Sequence, residues 1–549
     1  MNISFFATTI KRVSRSRLRR IMRGYRLLKE TGRHGLIATV KDELTNTRFD
    51  KIGLNVSKLF FGAGVEKAEL IVRQYLLTRI GSLGLNKALL YSLGSKKSAV
   101  VYPMPKLWQN VLAKHGFRVA KIRCSLMWAG YVGLFWGYGV LSIVKYLCVS
   151  LYELIRPQSP VLGRYVYFTG LTAGNLPQPC RDGRSHDIVS WYAGLKGKAD
   201  NIDTLVHGVA KAKSCNVNGF KVMFSPQAVP PLHNISGLIS FIGWALVTIF
   251  CSVLNLFRGR WWHALLLAES AIAARVRFQV PDKLARDYMF HNSGWIYRPL
   301  WTYEAEKKGS RILFYFYSTN CESFKRPNGY PAQENSWQVV NWPIYLVWDE
   351  YQADFVRRAV GAATNIKIVG PIWFQSSSIE MPVLPAGSVA VFDVQPHRSS
   401  RYQILGASEE YYVPQIVNQF LSDIHTAIRE CKGVMVHKRK RNIGKRLHPK
   451  YAALVKNLTG AYDVFSIEPD ISAIRVIEGC FAVISMPFTS TALLGRELGK
   501  PSIYYDPCGI VQKDDRAAHG IQVLSGKNEL RNWLAGLLES VDKVPMYGN

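Results

Sequence analysis

The sequence predicts an α/β protein with two Rossmann-like, doubly wound domains, a basic helical N-terminal region and two membrane-associated apolar helices. Three observations lead there. The chain has 549 residues, more than one hydrophobic core usually organises. Over the C-terminal half, short apolar runs rich in β-branched and aromatic residues alternate with amphipathic helical stretches, the pattern of a parallel sheet covered by helices. Two segments in the first half are apolar over lengths that match a bilayer. The expected organisation is a basic helical region over 1–110, an apolar helix within 111–155, a first Rossmann-like domain over 156–385 that contains a second apolar helix at 235–257, and a second such domain over 386–549. The Ser-, Pro- and Gly-rich stretch SSSIEMPVLPAGS (376–388) reads as the linker between them.

Taken in order, the N-terminus is dominated by charge. Between Lys11 and Arg33 there are ten Lys/Arg against one Glu, and Leu18, Ile21, Met22, Tyr25 and Leu28 recur at helical spacing. Such a helix suits an anionic lipid surface, or packs on its own domain. The net charge of +32 demands anionic partners: lipid headgroups, phosphorylated substrates or nucleic acid. No aromatic-interleaved or helix-turn-helix pattern supports nucleic acid. The apolar stretch Ile3–Ile10 precedes the charges, the reverse of a secretory signal. Nine cysteines stand singly with no CxxC pair, which argues for a reducing compartment and against a disulfide framework or zinc site. The apolar segments are Ser125–Val144, continuing to Leu151, and Ile235–Phe257. The loop between them, 156–234, is rich in Lys and Arg and carries apparent strands at Tyr165–Phe168 and Asp187–Tyr192. Basic loops resist export, so segments that dip into one leaflet fit better than two full crossings.

The rest of the first domain reads as helix Tyr303–Lys308, strand Ile312–Tyr317, strand Tyr345–Trp348, helix Asp349–Val360 and strand Ile366–Val369. In the second domain the expected order is strand Val389–Asp393, helix Pro414–Glu430, strand Gly433–Val436, helix Pro449–Leu458, strand Asp463–Ile467, helix Ile471–Ile477 capped by Asp470, strand Phe481–Ser485, helix Ala492–Leu498, strand Ser502–Tyr505, strand Gln522–Leu524 and a closing helix Asn528–Leu538.

The most informative stretch is FAVISMPFTSTALLGRELGKPSIYYD, residues 481–506. It forms one βαβ unit whose turn, Pro487-Phe488-Thr489-Ser490-Thr491, places three hydroxyls at a helix N-terminus, where unpaired N–H groups and the helix dipole favour an anion. In an open parallel sheet, ligands lie beyond the carboxyl ends of strands. The PFTS tetrapeptide with its LGRELGKPSIYYDP tail resembles the bacterial polysaccharide-biosynthesis proteins named for that motif, which are similar to two-domain, GT-B-type glycosyltransferases of capsule and O-antigen assembly. The resemblance covers 300–520 well, 155–300 weakly and 1–110 hardly at all. It implies a GT-B-like fold and metal-independent transfer without a cofactor, from a nucleotide-sugar to a lipid-linked or polymeric glycan acceptor, at the cytoplasmic face of the bacterial inner membrane.

Such a transfer needs cations or N–H donors for the leaving phosphate and a base for the acceptor hydroxyl. The expected phosphate and nucleotide site combines Thr489, Ser490 and Thr491 with His437, Lys438 and His448 from the cation-rich segment HKRKRNIGKRLHPK (437–450). His448-Pro449 resembles the His-Pro motif of CMP-sugar-dependent transferases, with Ser490-Thr491 as its partner pair. CMP is therefore one candidate nucleotide, although His437-Lys438 occupies the strand end where that motif belongs, and Pro449 also suits the first turn of a helix. Asp393 and His397, after the domain's first strand, are the candidate catalytic groups. Asp349-Glu350 comes second, and a negative helix start explains that pair as well. No DxD triplet and no His/Cys cluster with ligand spacing occurs, so no metal site is expected. Two alternatives stay open: a CDP-alcohol-dependent polyol-phosphate transferase of the teichoic-acid type, and a non-catalytic scaffold of a polysaccharide assembly complex.

Overall fold

Two parallel sheets organise the chain. The computed structural model describes residues 15–542 apart from 34, 50–58, 61–64, 82, 96–97, 157–163, 178–186, 196–201, 293–295, 320–321, 331–334, 373–378 and 398–410. Ahead of the first sheet lie helices α1 (Arg15–Glu30), α2 (Leu36–Asn46), α3 (Val65–Arg79), α4 (Leu83–Leu93), α5 (Lys106–Lys114) and the long α6 (Lys121–Ile155). The first domain follows as β1 (Tyr165–Phe168), α7 (Ile188–Leu195), β2 (Thr204–His207), β3 (Cys215–Val217), β4 (Phe220–Phe224), α8 (Ile235–Phe257), α9 (Trp262–Phe278), β5 (Asp287–His291), α10 (Trp301–Lys307), β6 (Arg311–Tyr315), β7 (Ile344–Val347), α11 (Glu350–Ala359) and β8 (Asn365–Ile368). These strands form one eight-stranded sheet in the order β3-β4-β2-β1-β5-β6-β7-β8, parallel except for the β3–β4 hairpin at the edge.

The second domain comprises β9 (Ser388–Phe392), α12 (Pro414–Glu430), β10 (Val434–Lys438), α13 (Pro449–Thr459), β11 (Val464–Ile467), α14 (Ala473–Glu478), β12 (Ala482–Ser485), α15 (Ser490–Glu497), β13 (Ser502–Asp506), β14 (Gln522–Ser525) and α16 (Gly526–Asp542). Its six strands are all parallel, in the order β11-β10-β9-β12-β13-β14. Every residue of β9 and β12 is buried, which is why these strands read as unbroken apolar runs. The chain is α/β with two Rossmann-like domains, as the alternation predicts.

Local chemistry explains the departures from expectation. Asp187–Tyr192 is not a strand but the start of α7. The Asp187 carboxylate accepts from the Val189 and Ser190 N–H groups, and this N-cap outweighs the β-branched composition of the segment. Helix α14 starts later than Asp470 suggests, with Ser472 at its N-cap position. The basic N-terminal helix is present, but part of its apolar face is already used. Ile21, Gly24 and Leu28 are buried, and α1 crosses α4 so closely that a Cβ on Gly24 would lie 2.0 Å from the Leu90 carbonyl oxygen, while one on Gly94 would lie 1.9 Å from that of Arg20. Gly24→Val is therefore expected to destabilise this helix pair by about 1–3 kcal/mol, the usual cost of overpacking. Faster limited proteolysis of the N-terminal region would show it, and unchanged proteolysis would refute it.

The N-terminal helices dock on the first domain through a buried glutamine. Gln74 of α3 donates to the Val339 carbonyl and to Asn341 Oδ1, and its own carbonyl accepts from the Arg298 N–H. The seven cysteines among the described residues are free thiols.

Candidate active site

In the second sheet the strands run β9, β10, β11 in one direction, and β12 then returns to the other side of β9. The connections leaving β9 and β12 therefore part to opposite faces, and the point where they part is the usual ligand position in such sheets. The Met486 N–H donates to the Phe392 carbonyl at 2.9 Å, so the strand end that carries Asp393 lies directly beside the PFTS turn. His437 and Lys438 end the neighbouring strand, in register with Val391 and Phe392. Segments 44 or more residues apart thus meet at one sheet edge, as their positions after strands suggested.

The PFTS turn is held under strain. Phe488 has φ +61°, an unfavourable backbone for a bulky residue. Its buried ring packs on Phe324 of the first domain at a centroid distance of 4.7 Å, and the turn is pinned on both sides by Tyr412 donating to the Pro487 carbonyl and Tyr504 donating to the Thr489 carbonyl, each at 2.9 Å. The three hydroxyls are not equivalent. Thr489 Oγ1 donates to the Met486 carbonyl at 2.8 Å, and Thr491 Oγ1 shares a 2.8 Å hydrogen bond with Ser485 Oγ. Ser490, half-buried at the first position of α15, has no side-chain partner among the described residues, and no side chain caps the helix. Gly495 seats α15 tightly on the sheet, since a Cβ there would lie 2.3 Å from Ser502 Oγ. Gly499, at φ +69°, ends the helix in the left-handed conformation. The helix N-terminus is in this way fixed beside the end of β9, and Ser490 is the hydroxyl of the three that no side chain engages among the described residues.

Lys438 is buried, and its ammonium donates to the Pro469 carbonyl at 3.1 Å and the Arg439 carbonyl at 3.3 Å. Burial pushes its pKa down to about 8, against the opposing pull of Asp470 and Asp393. Asp393 departs from expectation. Instead of facing the cleft it is sealed, with none of its side chain exposed. Its Oδ2 accepts from Tyr451 Oη at 2.5 Å and pairs with His437 Nε2 at 3.2 Å. Burial and the adjacent Asp393 raise the Tyr451 pKa strongly, so the phenol keeps its proton and donates it to the carboxylate. His448 caps α13, its Nδ1 accepting from the Lys450 N–H at 3.3 Å, with Pro449 in the first turn. Its N–H donates to the Pro396 carbonyl, and His397 forms a β-bridge with Leu447, so the loops after β9 and β10 are zipped together. The segment that follows His397 lies outside the described residues.

Asp349, the second-choice base, is occupied elsewhere. It caps α11 by accepting from the Gln352 N–H at 2.9 Å and holds His519 Nδ1 of the second domain at 2.8 Å, while Glu350 is an exposed partner of Arg357. Nearby, Glu322 bridges Arg358 and Arg516, and Asp515 accepts from the Lys325 N–H and from Tyr330. This clasp joins the loops after β6 and β7 to the loop after β13. The carboxyl ends of the two sheets therefore face one another.

The carboxyl edge of the first sheet contains a residue that the sequence reading missed. The first sheet reverses between β1 and β5, and His291 ends β5 at that point. Its imidazole stands between the Tyr315 and Tyr317 rings, each with a centroid 5.9 Å away, and over Gly170, where a Cβ would lie 2.8 Å from Nε2. Only glycine fits there, and Gly170 also has φ +68°. Burial lowers the His291 pKa, partly offset by a hydrogen bond to the Gly170 backbone, so the ring is neutral near pH 7.

The polysaccharide biosynthesis PFTS motif protein family matches residues 244–534, more than half of the 549 residues. This chain belongs to that family. The match begins within α8 and covers the first sheet from β5 onward and nearly all of the second domain, so the PFTS turn, Lys438 and His291 all lie within the family region. No curated protein matches the chain significantly. Solved structures of similar shape include UDP-N-acetylglucosamine 2-epimerase from Rickettsia bellii, at 9% identity over 69% of this chain and 88% of that one, TM-score 0.34. Sucrose-phosphate synthase from Thermosynechococcus elongatus matches at 10% identity over 70% and 90%, TM-score 0.33. The Methanocaldococcus jannaschii UDP-GlcNAc 2-epimerase, solved in complex with UDP-GlcNAc and UDP, matches at 8% identity over 70% and 100%, TM-score 0.32. Likeness this faint says nothing about the PFTS protein's substrate.

Proposed function

We propose that this PFTS-family protein is a glycosyltransferase of bacterial capsule or O-antigen assembly, working at the cytoplasmic face of the inner membrane on a lipid-linked or growing glycan. What supports this reading is that interdomain contacts turn the carboxyl ends of the two sheets toward one another, with the PFTS turn at the switch point of one sheet and His291 at that of the other. The donor is a nucleotide-sugar. Its phosphate binds at the N–H groups of α15, the Ser490 hydroxyl and the Lys438 ammonium, which neutralise the leaving group as the bond between the anomeric carbon and the phosphate oxygen breaks. His291 takes the proton of the acceptor hydroxyl as the new glycosidic bond forms. Asp393 does not touch substrate in this scheme; it positions His437 at the end of β10.

The test is thermal unfolding with CMP, UDP, GDP and CDP, repeated on Ser490→Ala. One nucleotide is expected to raise the Tm, by the equivalent of roughly 2.7 kcal/mol at a hundredfold excess over Kd, and the variant should lose much of that gain. No shift with any nucleotide in folded protein would favour a scaffold.

A pH dependence follows from Lys438. Donor binding should weaken as pH rises through about 8, where the folded protein loses this ammonium. Stability should move the other way. Between about 8 and the ordinary value of 10.5 the unfolded chain binds the proton and the folded one does not, so the cost of burying the charge disappears and stability rises with pH. Nucleotide titrations from pH 7 to 9.5 check the first effect and denaturant midpoints the second. A flat binding profile would remove Lys438 from the site.

A further inference from the structure

The outward faces of α6 and α8 take no part in the site. On α6 the exposed side chains Ile122, Leu126, Leu134, Tyr138, Leu141 and Ile155 form one stripe, and on α8 Ile235, Ile239, Leu246, Phe250 and Phe257 form another; Leu134 is 68% exposed and Phe257 88%. A helix that faces water carries charge on this side. Yet α8 has no charged residue in its 23, and α6 carries one acid, Glu153, which is buried, and between its ends one exposed charge, Lys145, whose aliphatic stem lets the ammonium reach the headgroup level. The two helices meet where Trp136 Nε1 donates to Ser252 Oγ at 2.9 Å. Both also pack inward on α9, Gly139 of α6 lying against Leu267, so their free faces turn the same way, away from α9. The exposed charges on and bordering the faces, Lys121, Arg123, Lys145, Arg156 and Arg258, are all basic, which complements lipid phosphates.

By length, α6 with 35 residues (about 52 Å) and α8 with 23 (about 35 Å) match or exceed a hydrocarbon core of about 30 Å. The sheet forbids a crossing. β1 precedes α8 and β5 follows it, and the two are hydrogen-bonded neighbours, Val166 opposite Asp287. If α8 crossed, with or without α6, these paired strands would lie on opposite sides of the membrane. If α6 alone crossed, α3 would be on the far side, yet Gln74 is buried against Val339, Asn341 and Arg298.

We propose that α6 and α8 lie side by side in the plane of one leaflet of an anionic phospholipid membrane. Their free faces are in the acyl chains, their basic ends are at the phosphates, and all the rest of the protein is on one side. This rests on the membrane-bound reading above and not on the donor chemistry.

Two measurements on the full chain test it. The first is flotation with vesicles of phosphatidylethanolamine and phosphatidylglycerol, against vesicles of phosphatidylcholine alone. Binding to the anionic vesicles is expected, reduced on the order of tenfold or more in the double variant Leu134→Glu, Leu246→Glu, with any nucleotide-induced Tm shift unchanged. The second uses Cys215, between the two helices, and Cys508, after β13, both exposed and each kept as the sole cysteine. Both should react with a membrane-impermeant maleimide in inverted vesicles and neither in spheroplasts. Labelling of Cys215 and Cys508 from opposite sides would overturn the in-plane arrangement while leaving the protein membrane-bound. Failure to float, or a soluble dimer that buries these faces, would overturn the membrane reading itself, whereas the nucleotide shifts report on the donor reading independently.

Discussion

Replacing Asp393 by alanine is expected to cost about 3–5 kcal/mol of stability in the second domain, the range for removing one partner of a buried ion pair or network. The carboxylate sits at the end of β9, in the middle of the six-stranded sheet, with none of its side chain exposed. It is the acceptor for Tyr451 Oη at 2.5 Å and the partner of His437 Nε2 at 3.2 Å. Alanine leaves both polar groups buried without it, and each orphan costs about 1–3 kcal/mol. Asparagine keeps an oxygen in place and should cost less. It also removes the negative charge that helps Lys438 keep its proton, so in Asp393→Asn the alkaline loss of donor binding should begin below pH 8. Urea unfolding of the three proteins and the pH dependence of nucleotide binding provide the data. A variant as stable as the parent but inactive would mean that Asp393 meets substrate after all and is not a positioning group.

The contrast between Asp393 and Ser490 shows what a sequence can and cannot disclose here. That both lie after strands of one sheet was legible, because strands such as SVAVF and AVIS are apolar throughout and the turn residues after them are plain. Helix Pro414–Glu430 was legible to the residue, since Pro at its first turn and amphipathic spacing mark it. What lies inside a polar cluster was not. Whether Asp393 points at solvent or at Tyr451 depends on how α13 packs, a tertiary fact 58 residues away along the chain. Among the PFTS hydroxyls, the one left for a ligand is decided by hydrogen bonds to Met486 and Ser485 that composition does not reveal. The interdomain clasp was hidden for the same reason: Asp349, Asp515 and His519 are ordinary loop and cap residues until two domains meet. His291 had a faint signal, a histidine closing the apolar run DYMFH. Its importance depends on β5 lying next to β1, and strand order is set by crossovers that local pattern does not encode.

The largest kinetic effect is expected at His291. Its imidazole is the titratable group that ends a strand at the first sheet's reversal point, on the carboxyl edge turned toward the second sheet, and burial lowers its pKa, which favours the neutral ring that a base requires. His291→Ala should lower kcat by on the order of 10²–10⁴, the usual contribution of a general base, while changing donor-induced thermal stabilisation little. Because the folded pKa is lowered, activity should hold through pH 7 and fall only below 6.5, the ordinary imidazole value, as the ring takes a proton. The same sign applies to stability. Below 6.5 the unfolded chain binds a proton more readily than the folded one, so acid destabilises the parent, and His291→Ala should lose part of that sensitivity. Gly170→Ala supplies the independent check. Its added methyl would lie 2.8 Å from Nε2 and would displace the ring without deleting it, so kcat should fall while the residual rate keeps its acid limb. If His291→Ala loses donor binding and stability together with activity, the histidine is structural and the base lies elsewhere in the cleft. If kcat alone falls and the acid limb disappears with the imidazole, the catalytic proton passes through this side chain.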